Sequence, residues 1–264
     1  MCRAVASRLM GIHALTVDFR DVTVEYEISP RYSPLRRASR AGRSTGGLVF
    51  GDPQRSTRIR ALDQVSFSLR EGDRLGLVGG NGAGKSTLLK TIAGCLEPVS
   101  GEVDVAGRIS TLLWIGAGMD LDRTGRQNIF TMGLHLLMLP RDVAPLIDEI
   151  AEFAELGDFI DLPIRTYSDG MRMRLAFAVA TSLHPEILLL DEGIGAGDAR
   201  FAERARLRAE RLYARAGILV LASHNATLLR QFCTRALWLD GGKVVALGDI
   251  DDVVAAYTEQ VRAS

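Results

Sequence analysis

The chain has 264 residues, 47% of them hydrophobic, which suffices for one sizeable core or one domain with an inserted lobe. Its 32 basic and 32 acidic side chains cancel, so it lacks the strongly basic balance of a nucleic-acid-binding domain, and no nucleic-acid partner is expected. Cys2, Cys95 and Cys233 are widely spaced with no C-x-x-C pair, which fits a reducing cytoplasm better than a disulfide framework or a zinc site. No apolar run approaches the ~20 residues of a membrane helix, and the N-terminus lacks an apolar stretch of signal-peptide length.

In chain order, residues 12–27 and 61–71 alternate apolar and polar side chains ("LTVDFRDVTVEYE", "ALDQVSFSLRE"), as half-buried strands do. The segment between them, residues 28–60, is rich in Arg, Ser, Gly and Pro. From Arg31 to Arg60 it holds eight arginines and one acid, Asp52. It reads as a long loop or partly ordered insertion, either a solvated charged loop or a functional one. "RLGLVG" is a buried strand running into a glycine-rich turn and the helix "KSTLLKTIAG". The strands "GEVDVAG" and "ISTLLWI" follow.

From about residue 125 to 183 the pattern is helical ("RQNIFTMGLHLLML", "RDVAPLIDEIAEFAEL", "MRMRLAFAVATSL"). Strands and helices then alternate again through "EILLLDE", "FAERARLRAERLYARAG", "ILVLASH", "NATLLRQFC", "ALWLDGGKVVALG" and "DDVVAAYTEQV". Alternation interrupted by a helical block predicts a parallel sheet flanked by helices and carrying a helical subdomain.

Chemistry concentrates in "GGNGAGKST": Gly79, Gly80, Asn81, Gly82, Ala83, Gly84, Lys85, Ser86 and Thr87. It fits G-x-x-x-x-G-K-[ST] between a predicted strand and a predicted helix, the context that makes the pattern a phosphate site. Glycines let backbone N–H groups turn toward the phosphates, and the helix adds its positive end. Lys85 supplies a point charge for the β- and γ-phosphates, and Ser86 a hard oxygen for Mg²⁺. Asp191 and Glu192 emerge at the C-terminal end of the apolar strand "EILLLDE", where ligands bind in open α/β sheets. Asp191 is placed to reach Mg²⁺, and Glu192 to orient or deprotonate a water at the γ-phosphate. His224, after "ILVLAS", falls at the same sheet edge.

The ordered set "YSDGM" before a helix, "DEGIGAGD" after the apolar strand and "LASH" after the next resembles the ATP-binding subunit of ABC transporters, over roughly residues 14–250. The resemblance implies a P-loop NTPase fold of the α/β class: a RecA-like parallel core sheet, an antiparallel β subdomain and an inserted α-helical subdomain. The ATP-binding domain would span residues 12–254, with the basic insertion at about 28–60, the helical subdomain at about 120–183 and a tail at 255–264. It implies that Tyr167–Met171 form the signature motif, with Ser168 and Gly170 facing a γ-phosphate. Gly195–Asp198 would form the D-loop, His224 the switch histidine, and Tyr26 the aromatic that stacks on adenine. A buried core tyrosine is the competing reading of Tyr26.

ATP and Mg²⁺ are the implied cofactors. The implied partners are a second copy, sandwiching two ATP molecules, and a separate transmembrane permease that would place the chain peripherally at the cytoplasmic face of the cytoplasmic membrane. Two departures stand out. Trp114 occupies the usual glutamine position; an indole cannot ligate metal, so it is assigned to the partner-facing groove, with Asp120 as a candidate replacement sensor. Asp169 replaces a usual glycine or serine and is expected to turn from the phosphate and cap its helix.

Within the family, "ISTLLWIGAGMD", "TGRQNIF" and "GAGDARF" are most similar to exporters of bacterial surface polysaccharides of the O-antigen, capsule and teichoic-acid kinds, some of which append a carbohydrate-binding domain. The chain stops at Ser264, so no direct glycan-binding domain is expected. Arginines of the insertion would either rest on anionic headgroups or simply solubilise a loop. A non-transport ABC protein is the alternative, disfavoured by a single phosphate loop and no heptad run. An unrelated P-loop kinase or GTPase would leave the signature, D-loop and histidine unexplained.

Overall fold

The computed structural model describes residues 14–28, 43–44, 47–52, 56–111, 118–136, 138–182, 185–191 and 199–263. Two sheets organise them. The parallel core is built from β5 (Arg74–Val78), β7 (Ile109–Thr111), β8 (Ile187–Asp191), β9 (Ile218–Ala222), β10 (Arg235–Asp240) and β11 (Lys243–Asp249), in the order β11-β10-β5-β9-β8-β7. Only the β10–β11 hairpin is antiparallel in this sheet. The second sheet is antiparallel, in the order β2-β3-β4-β1-β6, from β1 (Thr16–Ile28), β2 (Arg43–Ser44), β3 (Gly47–Asp52), β4 (Ser56–Arg70) and β6 (Ser100–Ala106).

Why "ILLLD" and "ILVLA" are apolar throughout follows from the burial of both faces, as a parallel sheet covered on each side requires. Ile187, Leu189, Ile218 and Val220 point to one side. There they meet Phe19, Val65 and Leu69 of the antiparallel sheet, and Leu88, Leu89 and Ile92 of α1 (Lys85–Ile92). Leu188, Leu190, Leu219 and Leu221 point to the other. There they meet Phe177 of α5 (Asp169–Ala180), Phe201 and Tyr213 of α6 (Ala199–Arg215), Leu229 of α7 (Ala226–Phe232), and Ile250 and Val253 of α8 (Ile250–Ala263).

The helical block forms a core of its own: Ile129 and Met132 of α2 (Gly125–His135), Ile150 and Ala154 of α4 (Ile147–Ala154), and Leu175, Ala176 and Val179 of α5. α5 belongs to both cores, since Phe177 and Ala180 turn to the sheet. A second tie runs from α6. The Arg208 guanidinium lies 4.3 Å from the Phe153 ring centroid, bridges to Glu149 at 3.1 Å and donates to Thr181 Oγ1 at 3.1 Å.

Two expectations are corrected. Residues 28–60 are not simply a loop, since 43–44, 47–52 and 56–60 lie in strands that widen the antiparallel sheet. The arginine-rich composition hid the alternation of Arg58 and Arg60 at the start of β4: Arg60 lies opposite Glu25 in register and pairs with it at 3.0 Å, and Arg58 reaches the same carboxylate at 3.8 Å. Residues 29–42 lie outside the described residues. The run "RDVAPLIDEIAEFAEL" is not one helix. It divides into α3 (Pro140–Val143), a 3₁₀ turn (Ala144–Leu146) and α4, because Pro145 lacks an N–H and its ring crowds the preceding turn.

Burial also marks two groups for alkaline titration. It pushes the Cys233 thiol from 9.0 up to about 12, and the Tyr213 hydroxyl from 10.0 up to about 12. The folded state therefore holds these protons more tightly than the unfolded chain. Their contribution to stability is full below pH 9 and is lost as the pH rises toward 12. Urea midpoints measured across that window should fall with pH, and Cys233→Ala should make the fall shallower; an unchanged slope would refute the assignment.

Candidate functional site

The sheet's register gathers the site. Leu77 pairs with Ala222, and Ala222 with Asp191, so β9 and β8 end on one rung and β5 one residue beyond it. The residues that follow each strand, among them Gly79 and His224, emerge at the same carboxyl edge, where open α/β sheets bind ligands. A cavity of about 430 Å³ opens there, lined by Tyr26, Ala61, residues 81–87, Asp191 and His224. Thus the predicted Asn81, Gly82, Ala83, Gly84, Lys85, Ser86, Thr87, Asp191, His224 and Tyr26 all meet at one place.

The loop's shape is fixed by backbone sterics. Gly84 is the N-cap of α1 at φ 111°, and a Cβ there would lie 2.7 Å from the Ala61 carbonyl oxygen. Gly79 sits at φ 146°, and its Cβ would lie 2.3 Å from the Leu239 carbonyl oxygen. With glycine at the cap no side chain caps α1, so first-turn N–H groups and the positive end of the helix face the cavity. Lys85 is buried, and its Nζ donates to the carbonyls of Gly79 at 2.6 Å and Gly80 at 3.0 Å. These bonds hold the ammonium against the loop, and in this way Gly79 and Gly80 join the site without lining the cavity.

Tyr26 is 36% exposed, which rules out the buried-core reading. Its hydroxyl lies 3.2 Å from Thr87 Oγ1, holding the ring over the start of α1. Ser86 and Asp191 present hard oxygens to the same cavity. Among the described residues no cluster of three or more His, Cys, Asp or Glu forms. Two oxygen ligands completed by phosphate and water are what Mg²⁺ prefers over an all-protein cage, so the donor set fits that ion.

Ser168 and Gly170 lie elsewhere, at the exposed start of α5, and do not line this cavity. Ser168 is the N-cap: its Oγ accepts from the Met171 N–H at 3.2 Å. That corrects the expectation for Asp169, which is not the cap. Its carboxylate is 97% exposed and pairs with Arg172 one turn along, so the part of the expectation that survives is only that it is engaged away from the loop. Serine wins because the cap must adopt extended φ/ψ one residue earlier (Ser168 φ −67°, ψ 163°). Tyr167 is a buried support, donating to the Phe159 carbonyl at 2.5 Å.

Asp120, the candidate replacement sensor, does not line this cavity; its carboxylate accepts from the Asp122 N–H at 3.0 Å and pairs with Arg123 at 3.1 Å. Trp114, Glu192, Gly195 and Asp198 lie outside the described residues. Ala61 was missed. The only sign of it in the sequence is a small residue between Arg60 and Leu62.

A strand, a glycine-rich phosphate loop, a helix and an aspartate on a neighbouring strand define a P-loop nucleotide-binding protein. The comparisons narrow this. Residues 62–195 match the family model described as ABC transporter. The chain is 47% identical to the O-antigen export system ATP-binding protein RfbE of Yersinia enterocolitica, over 86% of this chain and 95% of that one. It is 32% identical to the teichoic acids export ATP-binding protein TagH of Staphylococcus haemolyticus, over 94% and 90%. It spans 54% of the length of a further relative, the O-antigen export system ATP-binding protein RfbB of Myxococcus xanthus, at 40% identity over 92% of this chain. Among solved structures, an ATP-binding subunit of an ABC transporter superposes with a TM-score of 0.65 at 19% identity, covering 92% of this chain and 93% of that one. The chain belongs to the ABC transporter family, and it is a nucleotide-binding ATPase of that family with the fold its motifs predict.

The cap assignment is measurable. Ser168→Ala should lower unfolding stability by about 1 kcal/mol. Asp169→Ser, removing only an exposed pair, should change it by less than about 0.5 kcal/mol. The reverse order in denaturant titrations would return the cap to Asp169.

Proposed function

We propose that this chain is the ATP-hydrolysing engine of an exporter that moves a lipid-linked surface polysaccharide, of O-antigen or teichoic-acid type, across the cytoplasmic membrane. The reading is carried by the single cavity that Lys85, Ser86, Asp191 and His224 share, and its cargo by near-full-length similarity to ATP-binding proteins named for O-antigen and teichoic-acid export. By the same similarity the transmembrane path is assigned to a separate permease, with this chain peripheral on the cytoplasmic side; among the described residues no helix is long and apolar enough to cross a membrane. A dimeric ABC cassette and a post-hydrolysis dimer bound to ADP and Pi share the fold at TM-scores of 0.61. By that analogy, two copies of this chain would close on two ATP molecules.

The roles follow from chemistry. Loop N–H groups and the start of α1 receive the β- and γ-phosphates, and Lys85 adds a positive charge. Tyr26 offers a ring face to adenine. Ser86 and Asp191 would hold Mg²⁺, which when bound neutralises phosphate charge. Glu192 accepts the proton of the attacking water, and His224 hydrogen-bonds the γ-phosphate or that water. Ser168, the N–H groups around Gly170, and Asp198 approach the nucleotide of the opposite copy. The domain limits of 12–254, with a helical unit at 120–183, belong to this same reading.

Glu192→Gln should bind ATP and elute as a dimer in its presence; a monomer under those conditions contradicts the sandwich. Lys85→Ala should lower turnover by ~10²–10³-fold. Export of lipid-linked glycan in vesicles holding the chain and its permease tests the cargo, and ATP-driven movement of an unrelated substrate instead would reassign it.

A further inference from the structure

The turn between β10 and β11 touches the phosphate loop in a way that the fold alone does not require. Gly241 and Gly242 have φ of 54° and 82°, the pair of positive values that a two-residue hairpin turn with the sheet's own twist demands. Either residue would resist a side chain on that ground. They differ in what a Cβ would meet. At Gly241 nothing lies within 4 Å. At Gly242 the Ala61 carbonyl oxygen would be 2.6 Å away, the Ala61 carbonyl carbon 2.9 Å and Leu62 Cα 3.2 Å.

Gly242 is also bonded on both sides. Its N–H donates to the Ala83 carbonyl in the phosphate loop at 3.0 Å, and its carbonyl accepts from the Asp63 N–H at 2.9 Å. Asp63 in turn pairs with Lys243 at 3.2 Å and with Arg60 at 3.2 Å, its side chain only 14% exposed. From the other direction, a Cβ on Gly84 would strike Ala61 and lie 3.6 Å from Gly242 Cα. Backbone of segments 61–63 and 83–84 and of Gly242 is therefore in mutual contact. Ala61 and Ala83 both line the nucleotide cavity.

From this contact we infer that the Gly241–Gly242 turn is a positioning element for the phosphate loop, with Gly242 as the positioning residue. It sets the distance between the loop and the cavity wall at Ala61. The turn does not line the nucleotide cavity. It acts through the Ala83 carbonyl, which orients the peptide units just before Gly84 and so the N–H groups at the start of α1. Misplacing such a cradle by an ångström is enough to cost affinity heavily, because its donors act by fixed direction. The Lys243–Asp63 pair holds the turn down on β4 from its open side. The inference rests on the reading that residues 79–87 hold the nucleotide phosphates.

Alanine substitutions in the full chain test it, because both place a side chain at positive φ (54° and 82°) and only Gly242→Ala adds the clash with backbone. Equilibrium titration with Mg²⁺-ATP should show Gly242→Ala binding on the order of ten- to a hundredfold more weakly than Gly241→Ala. Gly242→Ala should also melt below Gly241→Ala, because its Cβ would meet the Ala61 backbone, so affinities are compared at a temperature where both variants are folded. Equal ATP affinities, or a lowered melting temperature with unchanged affinity, would overturn the proposal and leave Gly242 a purely structural residue. Lys243→Glu sets two carboxylates against each other without touching the turn's backbone. It should weaken binding severalfold, and wild-type affinity there would overturn the proposal even if Gly242→Ala failed to fold. Lys85→Ala separates the two readings: unchanged binding and turnover in that variant would refute the phosphate site itself, whereas their loss with equal behaviour of the glycine variants would refute only the positioning role of the turn.

Discussion

The site depends on one contact between main chains. Gly84 begins α1 in a left-handed conformation with the Ala61 carbonyl where a side chain would be. This ties the helix of the parallel core to the antiparallel sheet at van der Waals range. The phosphate-loop side of the cavity is referenced to that point. Lys85 is the first residue of α1, Ser86 and Thr87 follow it, and Tyr26 reaches Thr87 from β1. A helix start displaced from Ala61 would carry Lys85, Ser86 and Thr87 with it and break the Tyr26 contact. The constraint is a shape constraint more than an energetic one, because it fixes where N–H groups point and adds little to the burial that holds the sheets together.

That burial also explains how the two cores communicate. α5 presents Phe177 to the sheet and Leu175, Ala176 and Val179 to the helical unit. One helix is thus a wall of both. Arg208 reinforces the joint by lying against Phe153 and pairing with Glu149, a use of guanidinium that combines a flat apolar face with a charged rim. Ser168, at the start of α5, is thereby placed by packing that begins at the parallel sheet, and its position is set by the same strands that end at Asp191.

How much of this was legible in the sequence depended on whether the signal was local. The phosphate loop, the apolar strands and the block of helices are each a run of residues with its own period or turn chemistry, and each appears where it was read. Asp191 and His224 were legible as a pair because strand ends in a parallel sheet share an edge. The start of β4 was not, since its alternation is written in Arg58 and Arg60, whose partner Glu25 lies on another strand. The break at Pro145 was legible in principle; the helical period around it concealed it. The cap at Ser168 was misassigned to its neighbour because Ser and Asp are near-equal caps by type, and only the backbone angles separate them. Ala61 and Gly242 left no local trace at all. Their importance is a matter of what lies opposite, and contact between distant backbones has no sequence pattern.

The choice of serine at the start of α5 has a further consequence. A hydroxyl has two lone pairs and one proton. At Ser168 a lone pair is committed to the Met171 N–H, which leaves the proton as a separate capacity of the same atom. An ionised aspartate caps a helix as well as serine does, but it can only accept, and it would bring a charge of the wrong sign to any anion approaching the helix. In the proposed two-copy arrangement, serine would let the chain form the helix and meet an oxyanion with one oxygen. Neither role would have to be undone for the other, so closure would require no loosening of α5 beforehand.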